Sequence, residues 1–84
     1  MRRVLVVHDD AVSLERLRRA MQQREPGWEM SSAFSVEDAW QEVESARPDV
    51  VVTVARPNLD GVALLARIRD AQPDVVRVLV GVHG

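Results

Sequence analysis

At 84 residues, 46% hydrophobic and 29% charged, with a formal net charge of −2, the chain makes one globular domain with a small core and no field for gripping nucleic acid. It has no cysteine, which excludes a disulfide framework and thiolate metal sites. Arg2-Arg3 is followed by only four apolar residues before His8-Asp9-Asp10, too short for the core of a signal peptide, and nothing approaches a membrane span, so the composition fits a cytoplasmic home.

Val4 to Val7 is a continuous apolar run, the pattern of a buried strand, and it ends in His8-Asp9-Asp10. Leu14, Leu17, Ala20 and Met21 then recur at helical spacing. Asp10 fits the N-cap of that helix and Pro26-Gly27 stops it. Trp28 to Phe34 alternates, with Trp28, Met30 and Phe34 on one face and Glu29, Ser31 and Ala33 on the other, as a half-exposed edge strand does. Ser35 opens a second helix in a capping-box pattern with Asp38 in the usual Glu position, and Val36, Ala39, Trp40 and Val43 form its buried stripe.

Val50 to Val54, a β-branched run bounded by Pro48 and Pro57, predicts a central strand buried on both faces. The chain turns at Pro57-Asn58 and enters a third helix near Asp60-Gly61, with Leu64, Leu65, Ile68 and Ala71 inward. Val75 to Val82 is the fourth strand, and Ala46-Arg47-Pro48-Asp49-Val50-Val51 recurs as Ala71-Gln72-Pro73-Asp74-Val75-Val76, the junction of successive strand-helix units.

Strands alternating with helices predict a parallel α/β sheet with right-handed crossovers. With the alternating strand at one edge the order is 2-1-3-4, which puts the first helix on one face and the other two on the opposite face. The C-terminal strand ends then share a rim that gathers His8, Asp9, Asp10, Thr53, Val54 and Gly81 to His83, on strands about 4.8 Å apart.

Val6-Val7-His8-Asp9-Asp10, Pro48-Asp49-Val50-Val51, Pro57-Asn58-Leu59-Asp60-Gly61 and Arg77-Val78-Leu79-Val80, at these spacings, resemble the receiver domain of two-component response regulators over the whole chain. The resemblance implies a flavodoxin-like three-layer α/β/α fold, truncated after the fourth strand and so lacking the fifth strand and last two helices. In that family a rim acidic pair and an aspartate ending the third strand bind magnesium, and that aspartate accepts phosphate from a histidine kinase. A hydroxyl ending the fourth strand and a lysine ending the fifth sense it.

The chain departs from this pattern at the chemical positions. His8 stands in place of the first acid, while Asp9 matches the second and Asp10 the acidic residue that often follows. Counted forward from Asp49 the phospho-acceptor position is Val54; counted back from Asp60-Gly61 it is Thr53. The switch hydroxyl maps onto Gly81. A valine offers neither nucleophile nor ligand, and a threonine would give a stable ester, so the implied function is a phosphorylation-independent, non-enzymatic signalling module.

The remaining readings concern the same rim. Asp9 and Asp10 either cap the first helix or form a weak magnesium site, the one cofactor option, which would leave a phosphate- or magnesium-responsive receiver. His8, Asp9 and His83 could line a small enzyme's site, although a histidine at a strand end is more often solvated. Arg16, Arg18, Arg19 and Arg24 stand among Glu15 and Glu25 without aromatic residues, a solvated face and not a nucleic-acid or membrane surface. Trp28 and Trp40 are expected in the core. The partners implied are proteins: a histidine kinase, an output domain or a second copy, with Val76, Val78 and Val80 on the fourth strand as the interaction surface and a homodimer through its edge.

Overall fold

Apolar runs with no polar side must lie where both faces are covered. The structure, a computed structural model that describes residues 2–57 and 59–81, places two of them so. Strands β1 (Arg3–Val7) and β3 (Val50–Val54) are adjacent and central, flanked by β2 (Glu29–Ala33) and β4 (Val76–Val80). All pairings among the described strands are parallel and the order β2-β1-β3-β4 is the one expected. Helices α1 (Ala11–Arg24), α2 (Val36–Ala46) and α3 (Gly61–Ala71) are the crossovers.

Period-two alternation along the central strands divides the core into two layers. Val4, Val6, Val50 and Val52 meet Leu14 of α1, with Leu17 and Met21 half-buried beside them. Leu5, Val7 and Val51 face the other way, onto Ala39 and Val43 of α2 and Leu64 and Ile68 of α3. Each fully buried leucine or isoleucine contributes roughly 1.5–3 kcal/mol. The result is a three-layer α/β/α arrangement, with α1 alone on its face.

Several finer expectations change. Ala20 and Ala71 are exposed, because each sits at the flank of its helical stripe and not at its centre. Phe34 is 50% exposed: strand pairing ends at Ala33, and the alternation lapses where the chain turns into the α2 cap. Ala33, expected on the polar face, is buried against the α2 and α3 layer. Trp28 and Trp40 are only half-buried, and the Arg67 guanidinium lies 3.9 Å above the Trp40 ring. β4 is shorter than the sequence suggests, and Val82 lies outside the described residues.

The helix starts follow their capping residues. Asp10, Ser35 and Asp60 accept from the amides of Ser13, Asp38 and Ala63, at 3.2, 3.1 and 3.0 Å. α2 closes on Arg47 in the left-handed region (φ 48°), which turns the chain towards Pro48. Ser35→Ala removes one such bond and is expected to cost about 1 kcal/mol, read as a lower urea midpoint with an unchanged slope.

Candidate functional site

Register sets the rim. Val7 pairs with Thr53, and Thr53 with Leu79, so the C-terminal ends of β1, β3 and β4 lie side by side. The His8 amide still donates to the Ala33 carbonyl (3.1 Å), one residue beyond β1, which holds His8 at the sheet's end. The imidazole is 6% exposed, which corrects the expectation of a solvated histidine. Its Nδ1 accepts from the Asp10 amide at 3.0 Å, so the ring proton sits on Nε2.

The two aspartates part company here. Asp10 turns back onto α1, where the Ser13 hydroxyl and then the Ser13 amide hold its carboxyl below the usual value. Asp9 turns across the rim instead. Its Oδ1 lies 3.3 Å from His8 Nδ1, a contact without ionic character while that nitrogen is an acceptor, and 2.8 Å from Nε of Arg56. The Arg56 N–H is not aligned with the oxygen, so the contact is an ion pair without a well-formed hydrogen bond. Both atoms are shut off from water.

Arg56 is placed by the loop after β3. Its amide donates to the Leu59 carbonyl (3.0 Å) and its carbonyl accepts from the Leu59 amide (2.9 Å), while the Gly61 amide returns to the same Leu59 carbonyl (2.9 Å). Leu59 is buried at 1% exposure and anchors the turn to the α2 and α3 layer. Sequence reading did not single out Arg56. It sits 47 positions beyond Asp9 in the chain (56 − 9), and no local pattern links the two.

At the end of β3 neither acceptor position faces solvent. Thr53 is wholly buried and its hydroxyl donates to the Val54 carbonyl at 3.3 Å; Val54 is 1% exposed and belongs to the core. Gly81 follows β4, exposed, with open space where a side chain would begin. His83 lies outside the described residues, so the structure brings together His8 and Asp9 but says nothing of the third member of that candidate site. Val76 and Val78 are 49% and 39% exposed, and Val80 is half-buried. Among the described residues, no group of three or more His, Cys, Asp or Glu is placed to hold a metal ion.

Residues 4–84 match the response regulator receiver domain. The chain belongs to that family. Receiver domains are signalling modules, and this receiver is 38% identical over 74 residues to the transcriptional regulatory protein PrrA of Mycobacterium leprae, a match covering 87% of the chain. It spans 31% of that relative's length. Among solved structures it resembles the response regulator TrrA of Thermotoga maritima in complex with Mg2+ and BeF, with a TM-score of 0.89 and 27% identity over all of this chain and 72% of that one. TrrA in complex with the histidine kinase ThkA gives a TM-score of 0.84 at the same identity.

The family's magnesium makes a direct test of this receiver's rim. Magnesium demands a near-octahedral shell of oxygens at short range. Here the first position is an imidazole, the Asp9 oxygen beside it is taken up by a guanidinium, Asp10 is turned to Ser13, and the β3 end offers a valine and an inward hydroxyl. This donor set does not fit the ion.

No helix among the described residues is long and apolar enough to cross a membrane.

Proposed function

We propose that this receiver signals without accepting phosphate, as a protein-interaction module of a cytoplasmic two-component pathway. The observation that carries the reading is the end of β3. An acyl phosphate requires a carboxylate nucleophile reachable from the rim, and both candidate positions, Thr53 and Val54, are buried side chains without one. The Thr53 hydroxyl is further committed to the Val54 carbonyl.

Response also needs a reader. A switch shifts only when the load binds its two states with different affinity, and Gly81 supplies no hydroxyl to make that difference. What remains is surface. A histidine kinase, an output domain or a second copy is the partner class this fold serves, and the exposed valines of β4 are the surface we assign to it; no nucleic-acid or membrane surface is assigned to this domain.

The test is mass spectrometry after incubation with acetyl phosphate and magnesium. The expected result is an unchanged intact mass and an unmoved amide NMR spectrum. A gain of one phosphoryl group, mapped by fragmentation to Thr53, Asp9 or Asp10, would make the protein a rewired but working phosphate-responsive receiver and overturn the reading.

A further inference from the structure

The chain carries several arginine–carboxylate pairs, and one of them is unlike the rest. Arg3 with Glu29, Arg18 and Arg19 with Glu15, and Arg69 with Asp70 join side chains that are between 30% and 75% exposed, and none of their facing atoms is both shut off from water and without an aligned partner. Such pairs are well hydrated and contribute little. In the Arg56–Asp9 pair the side chains are 36% and 18% exposed, the facing atoms Nε and Oδ1 are cut off from water, and neither has an aligned hydrogen bond to any other described group. These two facing atoms therefore have only each other, and a partly buried charge held in this way becomes costlier once its partner is removed.

We infer that Arg56 is the resident cation of this rim, a guanidinium standing where a divalent ion would have to sit, so that the site is neutralised from within and closed to metal. The argument starts from position. Among the described residues, Asp9 is the rim carboxylate left to face Arg56, since Asp10 is spent on the α1 cap. A cation approaching Asp9 Oδ1 meets Arg56 Nε at 2.8 Å from that oxygen, too close for both to be accommodated. Displacement would separate the ion pair and bring two like charges together in a partly buried place, where screening is poor.

The loop makes displacement harder. Arg56 is fixed at its backbone by the two reciprocal bonds with Leu59, and Leu59 is sunk in the core, so the guanidinium enters the rim from a pinned origin. His8 adds to the exclusion. Its Nδ1 lone pair is occupied by the Asp10 amide, which removes the neighbouring nitrogen as a ligand. The inference extends the phosphorylation-independent reading from the missing nucleophile to the missing metal. It rests on different residues, so the two can fail separately.

The test uses manganese(II) as a paramagnetic probe on the 84-residue chain, with wild type, R56A, R56K and the double variant R56A with D9N. In wild type and R56K, equimolar manganese is expected to leave the Asp9 and Asp10 amide signals no broader than those of surface carboxylates elsewhere. In R56A the same signals broaden selectively, with affinity at least about tenfold higher than wild type, and D9N abolishes the gain. R56A also melts several degrees lower, and manganese raises its Tm but not that of wild type. Equal behaviour of wild type and R56A, whether both bind or neither does, overturns the inference. If R56A fails to fold, R56Q replaces it in the same comparison. The acetyl phosphate result is unaffected by any of these outcomes.

Discussion

Gly61→Ala is expected to lower the stability of the domain by about 1–3 kcal/mol, and by more if β3 cannot yield. The expectation runs against helix propensity, which favours alanine over glycine within a helix by about 1 kcal/mol. Space decides. A Cβ on Gly61 would overlap the Val54 carbonyl oxygen, stand 3.0 Å from the carbonyl carbon and 3.1 Å from Thr53 Cγ2. The obstacle is backbone of a central strand and not a pliable side chain, so relief requires α3 to lift from the sheet or β3 to shift. No described glycine has a positive φ, so Gly61 is needed for the close approach of helix to strand.

The same substitution reaches the rim. Val54 O is the acceptor of the Thr53 hydroxyl, and Gly61 N closes the loop that carries Arg56, so pushing here disturbs both sides of the site. For a domain of this size each kcal/mol is about 4–8 °C in Tm, and total stability is of the order of 4–12 kcal/mol, so the loss is large. Thermal unfolding followed by circular dichroism checks it. An alanine variant that melts with wild type would mean that α3 does not start as close to β3 as described.

How much of this was legible depends on how local the cause is. The strands β1 and β3, the cap at Asp10 and the start of α3 at Asp60 each follow from residues within a few positions of one another, and the sheet order follows from the alternation of elements. Phe34 misled because period two holds only while the strand is paired, and the sequence does not mark where pairing with β1 ends. His8 misled because its burial comes from a main-chain bond to Ala33 and from the Asp10 amide folding onto the ring, neither of which leaves a trace in composition. Arg56 was illegible for the plainest reason. An arginine in a loop reads as solvated, and only the fold brings it to Asp9. Asp10 was legible as a cap, whereas Asp9 reads in sequence as a second cap, a magnesium ligand or a neighbour of His83, and its pairing with Arg56 leaves no local mark.

The second large effect concerns β4, and we expect residues 1–84 to self-associate at high micromolar concentration through this strand. Val76 and Val78 pair with Val50 and Val52, which belong to the α1-side layer, so their side chains lie on the face that α1 shares. Yet α1 packs mainly over β1 and β2, and these two valines remain 49% and 39% exposed. On the opposite face Leu79 is 47% exposed as well. The strand is an edge among the described residues, with backbone groups along its outer side free to template another strand. Arg77 is the one charge along it, and its guanidinium is folded back onto the carbonyls of Pro73 and Val75, which weakens its value as a guard. Replacing Val76 and Val78 together by lysine adds charge to the apolar face without emptying the core. That variant should keep its Tm within a few degrees while its dimerisation weakens by about 100-fold or more, the equivalent of roughly 3 kcal/mol. Sedimentation velocity of the two proteins over a concentration series decides the matter: a wild-type chain that stays monomeric at several hundred micromolar, or a double-lysine variant that associates as strongly as wild type, removes β4 as the interaction surface.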